Sequence, residues 1–416
     1  MAFEKDQENK RRYWQRGYFS RRVKILLVLM AVAVALGIVL GVVLGRGWFT
    51  LPTWEDLFPE KEPTEPTQET VLPDTVIHFV AGGDVNASQS VISAGVTQGG
   101  YDFSDMLLDV TPVLAAADLT AVNFEGNLVG APYGEANFSA PQELLGNLRN
   151  AGVDILQTAN SKSVENGLLG LQSTLSAIKK AGLQSLGTYA DSQQFQKSGG
   201  YIIREVKGVR IALVAFTKGM DGRGLPAGSE DCVNLLYTDY SSTYQKVDTE
   251  GISQVMNAVA AQKPDITIAM LHWGSELNAQ ISKTQTQIVK LFAQLGADAV
   301  VGTHSHYVQT MGFDKATGMF VAYSLGDLLG DGKNAGTDYS VLLDLEITKN
   351  AKTGEASITG FDAIPIFRVE DETGVRMLRI REAVQAYEDR YIGAVSEELY
   401  LAMSDALTKV ESRIEK

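Results

Sequence analysis

The chain has 416 residues, enough for one large domain or two to three smaller ones, and 45% of them are hydrophobic, so a sizeable core is available. A formal net charge of −14 and a pI near 4.9 exclude nucleic acid as the main partner, because phosphate binding needs a basic surface. The single cysteine, Cys232, excludes an intramolecular disulfide and by itself assigns no compartment.

Residues 1–24 are basic, with Lys5, Lys10, Arg11, Arg12, Arg16, Arg21, Arg22 and Lys24 set against Glu4, Asp6 and Glu8. Residues 25–45 carry no charged side chain and are long enough to cross a bilayer as a helix. The charge asymmetry predicts a single-pass anchor with residues 1–24 in the cytoplasm and the rest of the chain outside the cell. A cleaved signal peptide is the competing reading; the apolar stretch is long for one, and no clear small-x-small cleavage site follows. Residues 46–73 read as an extended tether, with Pro52, Pro59, Pro63, Pro66 and Pro73 among Glu and Thr.

A folded domain is predicted over 74–362, with strands and helices alternating. Strands are expected at 75–83, 119–124 and 153–158, with helices at 107–117 and 142–151 between them. Leu168, Leu171, Leu175 and Ile178 form a helical stripe that stops at Gly182. Two strands, 201–205 and 210–216, meet at a Lys207-Gly208 turn, and a helix follows over 252–261. Then comes a strand–helix–strand unit: an apolar run at 265–271, helical spacing at Ile288, Leu291, Phe292 and Leu295, and a second apolar run at 297–301. Strands at 320–324 and 341–347 complete the sheet, and the tail, 363–416, reads as a helical extension. The fold class is α/β, a layered β-sheet core flanked by helices and preceded by one transmembrane helix.

Three of the four histidines follow the two apolar runs of that unit: His272 in His272-Trp273-Gly274-Ser275-Glu276, and His304 and His306 in Gly302-Thr303-His304-Ser305-His306. Imidazoles just past the carboxyl ends of parallel strands stand where open α/β sheets place their sites. His78 alternates with apolar residues and reads as an ordinary strand residue. Other strand ends carry Asp84, then Asn123 and Glu125 on one side of their strand, then Asn160. Asp84, Glu125, His272, His304 and His306 form an oxygen-and-imidazole set suited to a divalent transition metal, Mn, Fe or Zn. Asn160, Asn123 and Lys162 are the candidate substrate-binding residues, and His272, Glu276 and Lys162 the candidate catalytic ones. Lys162, and Lys218 and Arg223 in a glycine-rich loop, are candidates for a local basic patch.

These motifs in this order resemble the CapA-type poly-γ-glutamate capsule proteins. The motifs that match are Gly83-Asp84, Asn123-Phe124-Glu125-Gly126, His272 to Glu276, Gly302 to His306 with Gln309, and Tyr323-Ser324-Leu325-Gly326-Asp327. The resemblance covers residues 75–330. It implies a calcineurin-like metallophosphatase fold and a role at the cell surface on an anionic exopolymer, with the membrane and synthase subunits as partners. The chain departs from the family at Ser161 and Lys162, where Asn-His is usual, and at Asp327, where Asn is usual. An ammonium about 4 Å from a divalent ion is repelled by roughly 8 kcal/mol at an effective dielectric near 20. Lys162 must therefore point away, lose its proton, or serve as an anion-binding cation. Three functions stay open: a surface-anchored exopolymer protein for synthesis, binding, release or attachment; a metal-dependent phosphoesterase on a cell-envelope substrate; and a non-catalytic scaffold of a membrane complex.

Overall fold

The computed structural model describes residues 18–43, 73–372, 374–391 and 393–415. The chain divides into two compact units, Met1–Thr70 and Val71–Lys416. The first contains a 26-residue helix, Tyr18–Val43. Its apolar side chains, among them Ile25, Leu29, Leu36 and Leu40, are exposed. Among the described residues no helix is long and apolar enough to cross a membrane. The expected span, 25–45, runs past the described helix, and nearly all of the expected tether lies outside the described residues.

The second unit holds two sheets. Its strands are β1 (Thr75–Asn86), β2 (Val96–Thr97), β3 (Gly100–Tyr101), β4 (Leu119–Glu125), β5 (Ile155–Gln157), β6 (Gln184–Leu186), β7 (Tyr201–Val206) and β8 (Val209–Thr217). They continue as β9 (Ile266–His272), β10 (Ala299–Thr303), β11 (Met311–Phe313), β12 (Phe320–Ala322), β13 (Asp327–Leu329), β14 (Tyr339–Lys349), β15 (Ala356–Asp371) and β16 (Gly374–Arg379). One sheet runs β16-β15-β14-β1-β4-β5-β6, with β13 also on β1; the other runs β11-β12-β10-β9-β8-β7. β1, β4, β5 and β6 are parallel, as are β8, β9, β10 and β12.

The sheets face each other. Ile77, Phe79, Leu119 and Ile155 from one pack with Ile211, Leu213, Ile268, Met270 and Val301 from the other. Helices cover the outer faces, where Val80, Val122 and Leu156 meet Leu107, Leu114, Leu144 and Leu148. On the far side Val214, Phe216, Ala269 and Val300 meet Ile252, Val255, Ile288 and Phe292. Strands buried on both faces read as unbroken apolar runs, which is why the pattern alone could not show that there were two sheets.

Local chemistry explains most element ends. Helix Lys283–Gln294 starts with a capping box between Ser282 and Gln285. Gly182, at φ +78°, takes the left-handed position just past helix Gly167–Lys180. Lys207 and Gly208, at φ +48° and +78°, make the two-residue turn between β7 and β8. The helix expected over 107–117 is two, Ser104–Leu107 and Thr111–Ala116, the second opening on Pro112. The tail also differs from expectation. Residues 356–371 and 374–379 extend the first sheet as β15 and β16, because buried Ile366, Phe367, Val369 and Leu378 have sheet neighbours to cover. Helices Ile380–Glu388 and Glu397–Glu411 come only afterwards. His78 lies on β1 with its Nδ1 3.0 Å from Asp344 of neighbouring β14.

Candidate metal centre and cleft

The carboxyl ends of β1, β4 and β5 in one sheet and of β9 and β10 in the other converge. Thr303, ending β10, is in register with His272, ending β9, so the two histidine segments emerge side by side. The His272 and His304 rings lie with centroids 4.5 Å apart. Glycines permit this approach. A Cβ on Gly302 would sit 2.0 Å from the Tyr323 carbonyl oxygen, and one on Gly83 would sit 1.8 Å from that of Gly326.

His304 and His306 adopt φ +95° and +60°, a left-handed backbone that costs an ordinary residue about 1–3 kcal/mol. Asp84 helps hold that turn: its Oδ2 accepts from the His304 backbone N–H at 3.1 Å. Its Oδ1 accepts from Asn123 Nδ2 at 2.5 Å, and Asn123 Oδ1 accepts from Asn160 Nδ2 at 3.1 Å. Asn160 also donates to the Phe124 carbonyl at 2.7 Å and accepts from the Lys162 backbone at 3.0 Å. Both asparagines are buried, and their amides tie strand tips together.

Burial sets the electrostatics. It drives His272 well below the usual histidine range, and drives His304 down to about 3 with help from Lys218. Both rings are neutral, so each keeps one unprotonated nitrogen that can serve as a ligand. Burial also opposes charge on His306, but Asp327, 2.8 Å from Nδ1, overcomes it and lifts the ring to about 12. Burial raises Asp84 to about 6, with Asp327 adding to it, and raises Glu125 to about 8, with Asp84 adding to it. The His306 ring, 3.6 Å from its carboxylate, holds Glu276 down at about 2.

Glu125, His272 and His304 each offer a donor atom within 4.8 Å of the others, and Asp84, Glu125 and His306 form a second such trio. Glu125 Oε2 and His304 Nδ1 are buried and, among the described residues, have no hydrogen-bond partner. Unpaired buried donors of this kind, beside neutral imidazoles, fit a divalent metal ion. Ser161 Oγ lies 3.1 Å from His272 Nε2, and Thr303 Oγ1 lies 3.0 Å from His272 Nδ1.

A cleft of about 230 Å³ opens over these groups, lined by Glu125, Ser161, Lys162, His304, His306 and Asp327 among others. Lys162 points away from the donor set. Its Nζ pairs with Asp221 at 2.5 Å and lies 4.1 Å from the Phe138 ring centroid. Burial disfavours its charge, but the Asp221 hydrogen bond outweighs this and raises its pKa. The other two cations of the expected basic patch are also engaged. Lys218 donates to the Gly274 carbonyl at 2.9 Å, and Arg223 donates to Glu165 at 2.6 Å. Gln309 is buried and anchors the 278–280 loop by donating to the Asn278 carbonyl. Sequence reading passed over Thr303, Phe138 and Asp221. Thr303 is found only through the β9–β10 register; Asp221 stood in view between the two loop cations already singled out.

Residues 78–332 match the family described as bacterial capsule synthesis protein PGA_cap. The chain belongs to that family. It is 27% identical over 258 residues to the PGA biosynthesis protein CapA of Bacillus subtilis (strain 168), covering 61% of this chain and 63% of that protein. It is 26% identical over 250 residues to the capsule biosynthesis protein CapA of Bacillus anthracis, covering 58% of this chain and 57% of that one. This PGA_cap member thus spans less than two thirds of the length of either relative. Among solved structures it is similar to the calcineurin-like phosphoesterase YfkN from Bacillus subtilis, with a TM-score of 0.43 and 16% identity over 70% of this chain and 91% of that one. It is also similar to a 5'-nucleotidase from Staphylococcus aureus, with a TM-score of 0.47 and 13% identity over 81% of this chain and 58% of that one.

Proposed function

We propose that this PGA_cap member is a membrane-anchored, outward-facing protein acting in the synthesis, binding, release or attachment of poly-γ-glutamate or a similar anionic exopolymer. The family and the relatives named for PGA and capsule biosynthesis support the polymer. The basic segment 1–24 followed by the apolar segment 25–45 supports the anchor and its orientation. Membrane synthase subunits are the expected partners.

The observation that carries the chemistry is the meeting of Glu125, His272 and His304 under a cleft that Lys162 also lines. Asp84, Glu125, His272 and His304 would hold a divalent metal of the Mn, Fe or Zn kind, and His306 would join them by giving up its proton to the ion. When bound, such an ion polarises an oxygen or activates water. Asn123 and Asn160 keep the strand tips in place, and Glu276 orients His306 from the far side of its ring at 3.6 Å. A cell-envelope phosphoesterase is the second reading, favoured by the two buried donor atoms without partners. Ser161 and Lys162, in place of a ligand and a proton-handling imidazole, favour the first.

Elemental analysis of the purified full chain tests the site. At least one equivalent of transition metal is expected, and His304→Ala is expected to lose it. A metal-free wild-type protein would remove the metal from the proposal. Membrane fractionation with protease added outside intact cells tests the anchor: the domain should pellet with membranes and be cleaved. Recovery in the soluble fraction would count against it.

A further inference from the structure

We propose that Lys162 is the receptor for one free carboxylate of the polymer, and that Asp221 occupies this receptor as an internal stand-in until the polymer displaces it. This rests on the exopolymer reading above.

The receptor is rigid. Lys162 is anchored through its backbone on both sides: its N–H donates to Asn160 Oδ1 at 3.0 Å, and its carbonyl accepts from Asn127 Nδ2 at 2.7 Å. Its side chain is 16% exposed and lies against the face of Phe138, which holds the ammonium at the cleft wall. The occupant is the exposed partner: the Asp221 side chain is 41% accessible. It stands in a loop with glycines at 219, 222 and 224, and its own backbone is left-handed at φ +49°, next to Gly222 at +78°. A half-buried cation facing an accessible anion on a strained, glycine-rich loop can exchange that anion for another of like chemistry without becoming unpaired.

The cleft also selects the anion. Besides Lys162 it is lined by Glu276, Asp327 and Asp331. Those carboxylates repel a doubly charged phosphate more strongly than a singly charged carboxylate. A γ-linked glutamate chain carries one free carboxylate per residue on a carbon of its backbone, much as Asp221 offers its own one carbon from the main chain. Glu165, the acid closest in sequence, is held by Arg223 at 2.6 Å and is not free to replace Asp221.

Calorimetric titration of the full-length protein in detergent with a short γ-linked glutamate oligomer tests this. Asp221→Asn is expected to bind roughly two- to fivefold tighter than wild type, the range for removing a partly exposed competing carboxylate. Lys162→Met should lose binding, and the double variant should behave as Lys162→Met alone. If wild type binds and Asp221→Asn binds equally or more weakly, the stand-in is overturned and the exopolymer reading survives. If neither wild type nor Asp221→Asn binds, both fall. Inorganic phosphate binding to Asp221→Asn as tightly as the oligomer would overturn the carboxylate assignment.

Discussion

Asp239 shows how one carboxylate can organise a loop that reaches the site. It accepts from the backbone N–H groups of Gln245 at 2.9 Å and Lys246 at 3.0 Å, and from the Thr243 hydroxyl. Those bonds, the Thr243 hydroxyl foremost, hold its pKa down at about 2. The loop they close carries Tyr244, whose ring lies 4.7 Å from Lys218 Nζ, and Lys218 in turn lies 3.4 Å from His304. The folded state thus binds this proton less readily than the unfolded chain does. The resulting stability is fully present above the unfolded value of 3.8 and is lost as pH falls through about 2. Asp239→Asn should therefore lower the urea midpoint at neutral pH, and the gap from wild type should narrow below pH 3.8. A gap that stays constant with pH would show that the charge does not close the loop. Residue types were legible from the chain at the histidines. Their protonation was not: burial lowers both His304 and His306, two positions apart, but Lys218 adds to it at His304 while Asp327 overrides it at His306.

At the scale of elements, the motif glycines are the tightest constraint. Gly83 lets β1 pair with both β4 and β13 around a register shift at Asp84, where Asp84 faces Asp327. Alanine there meets the Gly326 carbonyl at 1.8 Å, so either β13 moves away or Asp84 leaves the His304 backbone. Gly83→Ala should cost about 1–3 kcal/mol or more by overpacking, and metal content should drop with it. Chemical denaturation with elemental analysis checks both, and full metal retention would detach Asp84 from the site. Element ends were readable wherever side chains act locally, as with the Gly182 stop and the Lys207-Gly208 turn. They were misread where neighbours decide. Residues 363–379 carry apolar spacing that suits either a helix or a strand. Pairing with β14 and packing by helix Glu397–Glu411 settle them as strand.

For the whole molecule, the decisive feature is the apolar layer between the two sheets. Leu213 is fully buried there among Ile211, Ile268 and Val301, and the same layer fixes how the strand tips of one sheet face those of the other. Leu213→Ala should cost about 2–5 kcal/mol. It should also loosen the site, seen as weaker metal retention under dialysis at equal folded fraction. Loss of stability with unchanged retention would show that the layer supports the fold without tuning the centre. From sequence alone came the alternation of strands and helices, the family resemblance and the side chains at the strand ends, because each depends on spacing within a short stretch of chain. Tertiary structure decided that there are two sheets, that Thr303 supports His272, and that Lys162 turns from the metal ligands to Asp221. Those outcomes depend on which surfaces meet between elements far apart in the chain, 31 residues for His272 with Thr303 and 59 for Lys162 with Asp221, and neither periodicity nor motif spacing encodes that choice.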